Sequence, residues 1–170
     1  MTHDRETGPL TRPTRIDRLR KDRSEVIVEA TPAECEALAT EFKIPGIRDL
    51  VGRFSVSGPS SRLIVTGTIT ATVTQVCTVS LDPFESTVSE PVEVAFTDTD
   101  ILVGTDAEDA DVPDPIVGNR IDFGTLTAEF LALGLDPYPR KPGIAFTPMT
   151  EDNDEASPLG VLRSLRDREP

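Results

Sequence analysis

The sequence predicts an α+β fold: an antiparallel β-meander or partly closed sheet covered by a buried helix. A short N-terminal β-α unit, a flexible acidic loop and flexible tails complete it. Three observations predict this. Odd positions from Leu63 to Leu81 are mostly apolar, while even positions from Thr66 to Ser80 are Thr or Ser except Val76. A second alternation runs back through Phe84, Val88, Val92, Val94 and Phe96. An almost unbroken apolar run, Leu126–Leu135, then follows a capping aspartate, Asp122. Side chains alternate across a strand, so the first two patterns each put one oily face and one polar face on a strand.

The two alternating runs form a hairpin joined at Leu81-Asp82-Pro83-Phe84. At roughly 3.3 Å per residue its first arm would span about 60 Å, beyond the usual strand length. It must bend or break, and Gly67 is the expected place. Pro91 cannot donate to a ladder, so its part of the second arm is an edge or a bulge. Leu50, Gly52, Phe54 and Val56 alternate before the turn Gly58-Pro59-Ser60-Ser61, which makes a three-stranded meander from about residue 48 to residue 97.

Upstream, Glu25–Glu29 reads as a short strand. Thr31-Pro32-Ala33-Glu34 then announces a helix: Thr31 caps, Pro32 suits the first turn and Glu34 completes a capping box. Cys35, Leu38, Ala39 and Phe42 follow as one buried stripe. Downstream, Ile116–Ile121 reads as one short strand, and the helix from Asp122 should bury Phe123, Leu126, Phe130 and Leu133, with Leu131 and Leu135 broadening that face. Glu129 is its single carboxylate, either solvent-facing or a buried acid paired with an arginine. Asp136-Pro137-Tyr138-Pro139-Arg140-Lys141-Pro142-Gly143 ends the helix and favours a stiff, extended backbone. It is either a strap packing Tyr138 onto the domain or a preorganised surface epitope.

Composition bounds the function. The chain has 170 residues and a net charge of −13. Residues 1–11 are expected as a disordered tail, 12–147 as a single domain with a mobile acidic loop at 98–114, and 148–170 as an acidic linker and short C-terminal helix. In that helix Leu159, Leu162 and Leu165 form a stripe. The charge repels nucleic acid and anionic membranes unless a local basic patch intervenes. Such a patch exists in Arg12, Arg15, Arg18, Arg20, Lys21 and Arg23, read as a solvated arm or as a contact for phosphate or an acidic partner. No apolar run reaches membrane length, and no signal-peptide pattern opens the chain, so a cytoplasmic location is expected.

Chemistry is sparse. The one histidine is His3, so a Ser-His-Asp or Cys-His arrangement is not expected. Cys35 and Cys77 both fall on apolar faces and read as reduced core thiols. The acidic run 98–114 lacks EF-hand spacing. No Walker loop, dinucleotide fingerprint or zinc signature is present. The expectation is a non-enzyme with no cofactor, no metal and no small-molecule substrate.

Two blocks and a tail are similar to the YceD family, the large ribosomal RNA subunit accumulation proteins. The first block is Gly67-Thr68-Ile69-Thr70-Ala71 through Gln75-Val76-Cys77-Thr78-Val79-Ser80-Leu81-Asp82-Pro83-Phe84. The second is Ile121-Asp122-Phe123-Gly124 with Glu129 and Leu131-Ala132-Leu133, running into Asp136-Pro137-Tyr138-Pro139-Arg140. The tail Ser157-Pro158-Leu159-Gly160-Val161-Leu162 resembles the family's closing helix. The resemblance implies a non-enzymatic factor in synthesis, processing or stability of large-subunit ribosomal RNA. Some members have C-x-x-C at the hairpin; here Cys77 holds the first position and Ser80 replaces the second. The implied partner is a ribosomal protein or a large-subunit precursor particle, with RNA contact weak or indirect. The expected interaction surface is Arg12, Arg15, Arg18, Arg20, Lys21, Arg23, Tyr138, Arg140 and Lys141. The alternative is a general protein-interaction module using the sheet edge near Pro91 and the strap at 136–143. An enzyme acting through Glu129 or Cys77 would need a buried pocket beside one of them.

Overall fold

The computed structural model describes residues 8–19, 24–59, 61–98 and 113–145. Among these the strands form one five-stranded sheet and one two-stranded ribbon. The sheet contains β2 (Ser24–Glu29), β3 (Gly46–Ser57), β4 (Leu63–Val76), β5 (Pro83–Asp98) and β6 (Asp114–Ile116), in that spatial order. All neighbours are antiparallel except β5 and β6, which are parallel. The order is that of an open meander. The ribbon pairs β1 (Pro13–Arg15) with β7 (Arg120–Asp122). Two helices, α1 (Pro32–Phe42) and α2 (Phe123–Gly134), complete the α+β fold.

The central hairpin follows the alternation. β4 and β5 pair in unbroken register from Leu63↔Phe96 to Val76↔Pro83. Leu63, Val65, Ile69, Ala71 and Val73 are buried, whereas Thr66, Thr68 and Thr70 are exposed. Burying each large aliphatic side chain contributes about 1.5–3 kcal/mol. The turn lies earlier than expected, over Cys77–Asp82, with Leu81 left-handed at φ 62°. Pro91 lies opposite Thr68 on β5. Among the described residues the other side of β5 is paired only at Phe96–Asp98, by β6, so of the two expected readings, edge or bulge, Pro91 takes the edge.

Gly67 does not break β4, which stays in register across it with Phe54 on one side and Val92 on the other. It is a site of close approach: a Cβ there would lie 2.1 Å from the Arg53 carbonyl oxygen and 3.0 Å from Phe54 Cα. The irregularity lies in β3, where the register shifts between Arg48 and Val51 and Asp49 is left-handed at φ 55°. The extra residue of this bulge keeps Ile47 and Leu50 both on the core side.

The α1 capping box forms as read. The Thr31 hydroxyl accepts the Glu34 N–H at 3.3 Å, and the Glu34 carboxylate accepts the Thr31 N–H at 2.8 Å. Cys35, Leu38 and Ala39 are buried and Phe42 is half-buried. For α2, Asp122 Oδ1 accepts the N–H groups of Gly124 (2.9 Å), Thr125 (3.1 Å) and Arg12 (2.7 Å).

The buried stripe of α2 is rotated from the expected one. Phe123, Gly124, Leu126, Thr127 and Leu131 are buried, Phe130 is half-buried, and Leu133 is 75% exposed. The polar residue Thr127 sits at the centre of that stripe. Its hydroxyl donates to the Phe123 carbonyl at 2.7 Å, and a Cβ on Gly52 would meet its oxygen at 2.7 Å. A small residue is needed where helix and sheet come this close. Phe123 and Phe54 pack beside this contact, ring centroids 5.3 Å apart.

Two further expectations change. Ile116–Ile121 is not one strand. It contains the end of β6 and the start of β7, divided by a turn with Gly118 and Asn119 left-handed. Leu10, expected within a disordered tail, is fully buried in the core, and Gly124 has no room for a Cβ against Arg12 N at 2.7 Å. The acidic segment 99–112 and the C-terminal linker and helix lie outside the described residues.

Candidate interaction surface

The strap at 136–143 is fixed to the hairpin end by its backbone. Gln75 Nε2 donates to the Asp136 carbonyl at 3.0 Å, and Thr78 donates to the Pro139 carbonyl from its N–H (2.9 Å) and its hydroxyl (3.2 Å). The Lys141 N–H donates to the Cys77 sulfur at 3.3 Å, and Lys141 Nζ lies 3.9 Å from Asp82. Prolines remove strap donors and restrict its dihedrals, so few contacts suffice to hold it. Tyr138 is 72% exposed and does not pack onto the domain. Arg140 is exposed and Lys141 half-buried. The strap therefore presents its aromatic ring and a guanidinium outward from a backbone held at three points.

Cys77 is buried beneath this strap. Its main chain closes the turn, with Cys77 N–H to Asp82 O and Leu81 N–H to Cys77 O both at 2.9 Å. Its sulfur accepts from Ser80 N–H at 3.4 Å as well as from Lys141. The Lys141 N–H first, then the Ser80 groups, favour the thiolate and bring the thiol down to about 6. Cys35 behaves oppositely: burial pushes its thiol up. Among the described residues no three His, Cys, Asp or Glu side chains gather as a metal site would require.

The basic arm divides. Arg12 is a structural tie: its guanidinium reaches both Glu34 oxygens, at 2.8 and 2.9 Å, and its N–H caps onto Asp122. The Arg12 guanidinium and the Thr31 N–H hold the Glu34 carboxyl down to about 2. Arg15 pairs with Asp17 at 2.9 Å, and Arg18 is exposed. Arg20, Lys21 and Arg23 lie outside the described residues. One arginine missed in the sequence joins this end: β1–β7 pairing sets Arg120 directly opposite Arg15. Arg15, Arg18 and Arg120 line a shallow groove of about 330 Å³. Like charges directly opposite oppose strand pairing, so stability does not explain the placement. A pairing 105 residues apart in sequence leaves no local signal for it.

Glu129 is exposed and lines an open groove of about 700 Å³ together with Arg120, Asp114 and Phe96. The solvent-facing reading of Glu129 holds. The expected surface thus forms two patches rather than one. Arg15, Arg18 and Arg120 lie before the N-terminus of α2; Tyr138, Arg140 and Lys141 follow its C-terminus. The helix between them has 12 residues and is about 18 Å long.

The fold is thus a helix-backed meander with a stapled strap and charged exposed patches. The model of the family described as Large ribosomal RNA subunit accumulation protein YceD matches residues 65–161, more than half of the chain, and the chain belongs to this family. That span takes in all but the first two residues of β4, then β5, the Cys77 turn, α2 and the strap. No curated protein and no solved structure matches the chain. No helix among the described residues is long and apolar enough to cross a membrane.

Proposed function

We propose that this protein is a non-catalytic, cytoplasmic factor that supports synthesis, processing or stability of large-subunit ribosomal RNA by contacting a ribosomal protein or a large-subunit precursor particle. The family match over residues 65–161 carries this reading. The geometry fits it: an exposed aromatic and cations stand on a stapled strap, and three arginines gather at the opposite end of α2. Protein contact suits the net charge of −13 better than an extended RNA interface does. Any direct phosphate contact falls to Arg15, Arg18 and Arg120, whose binding should weaken steeply with salt.

The test is affinity capture of the full chain with bound RNA and protein identified, before and after nuclease, beside depletion with large-subunit RNA as the readout. Recovery of large-subunit components that survives nuclease supports protein contact. Recovery lost with nuclease assigns the contact to RNA. Unchanged large-subunit RNA on depletion, with no ribosomal component captured, overturns the proposal.

A further inference from the structure

The outer edge of β5 is unpaired among the described residues from Phe84 to Glu90; β6 joins only at Phe96–Asp98. A free strand edge is a row of backbone donors and acceptors without partners. Pro91 fixes which ones point outward. A proline fits this ladder when its nitrogen faces away from β4. With the period of two along a strand, Glu85, Thr87 and Ser89 share that orientation. Their N–H and C=O groups therefore point away from the sheet.

Glu85, Thr87 and Ser89 are exposed, and they border a groove. The edge forms one wall of a groove of about 500 Å³, and the strap, with Asp136 and Arg140, forms the other. Seven residues of edge, 84–90, give a slot about 23 Å long. Pro91 closes one end to further pairing. The backbone chemistry of this edge suits one extended chain, bonded on one side to β5.

Charge selects the occupant. Glu85 is already tied to the Arg48 guanidinium at 2.8 and 3.0 Å, which leaves Glu90 and Asp136 in the slot against one guanidinium, Arg140. Glu90 has no ion-pair partner among the described residues, and Glu93 continues the acidic edge beyond Pro91 without one. A second copy of the chain would bring the same carboxylates together. The chain's own segment 98–114 holds seven acids and no Lys or Arg, so it is repelled as well.

We infer that the β5 edge from Phe84 to Glu90 is a docking site for an extended, basic peptide segment of a partner protein, added as a further strand between β5 and the strap. Main-chain bonds supply the pairing, and the carboxylates choose lysine- and arginine-bearing sequences. The inference deepens the proposed function by naming the partner's chemistry. It rests on that reading only for the origin of the peptide.

The experiment uses the full chain, isotope-labelled, titrated with a peptide of about ten residues alternating Lys and Val. Expected are shifts and slowed amide exchange at Glu85, Thr87 and Ser89. Affinity should fall at least about tenfold for the same peptide N-methylated at alternate backbone positions, and for Thr87→Pro, which removes one outward donor. An alternating Glu-Val peptide should not bind. Equal binding of the N-methylated or the acidic peptide, shifts confined to Tyr138 or Arg15, or no binding would overturn the site. Because the N-methylated peptide leaves the protein unaltered, a misfolded Thr87→Pro chain does not spare the proposal. Peptide binding without capture of ribosomal components would sink the ribosomal reading alone; the reverse would sink the edge site alone.

Discussion

The main-chain N–H of Lys141 donates to the sulfur of Cys77 at 3.3 Å, joining residues 64 apart in the chain. This bond makes the strap and the hairpin turn one unit. It also makes the charge on one sulfur a measure of whether the strap is seated.

Thiolate absorbance should therefore show one early titration. In the native chain, thiolate signal should rise with a midpoint near 6, and Cys77→Ser should remove that step. Cys35 should contribute nothing in this range, since burial raises its thiol. The sign for stability follows: a depressed thiol contributes fully above its unfolded value, near 9, and that contribution is lost as pH falls through about 6. Urea midpoints of the native chain should thus rise from pH 6 to pH 9 relative to those of Cys77→Ser. A parallel pair of curves would refute the seated thiolate.

Asp122→Ala should cost about 2–3 kcal/mol, because one carboxylate oxygen serves three main-chain donors, including Arg12 across the ribbon. Asp122→Asn should recover part of the loss, as asparagine also caps. Denaturant melts of the three chains decide it.

Glu34 sets an acid limit. Its carboxyl is held down to about 2 by Arg12 and the Thr31 N–H, so its stabilisation is complete above about 4.5 and is lost as pH falls through about 2. Glu34→Gln should flatten the acid limb of the pH–stability curve in that window and leave its slope unchanged at neutral pH.

Gly67→Ala should destabilise by about 2–3 kcal/mol through overpacking, since the new methyl meets the Arg53 carbonyl rather than a movable side chain. A thermal midpoint within a degree or two of the native one, roughly the scatter of neutral surface changes, would show that the strands separate freely there.

Arg18→Gln with Arg120→Gln should leave the fold intact, and removing Arg120 should relieve Arg15 by a few tenths of a kcal/mol. If phosphate is contacted there, the salt slope of particle association should flatten by about two charges. An unchanged slope removes this groove from the interface.

Local chemistry made much of this legible in the sequence. The hairpin alternation, the Thr31–Glu34 box and the Asp122 cap are all written within a few residues of where they act. What could not be read depends on distance or on near-degenerate patterns. The run Leu126–Leu135 is apolar almost all round, so helical spacing alone could not choose Leu131 over Leu133; the close approach of Gly52 to Thr127 chose. Gly67 carries the same letter whether it marks a corner or a tight crossing. Leu10, Arg12 and Arg120 acquire their roles only when β1 meets β7, and strands of three residues leave no periodicity to detect. The strap was legible as stiff, but not the sulfur that seats it.

That last pairing sets an order in time. Pro13 has no partner until Asp122 has been made, 109 residues later. At the usual pace of translation that is roughly 5–20 s. Throughout most of this interval Arg12 and Arg15 have neither Asp122 nor Arg120 beside them. The basic segment is therefore made long before the strand that pairs with it, and Leu10 can be sealed inside only after Asp122 and α2 have been made.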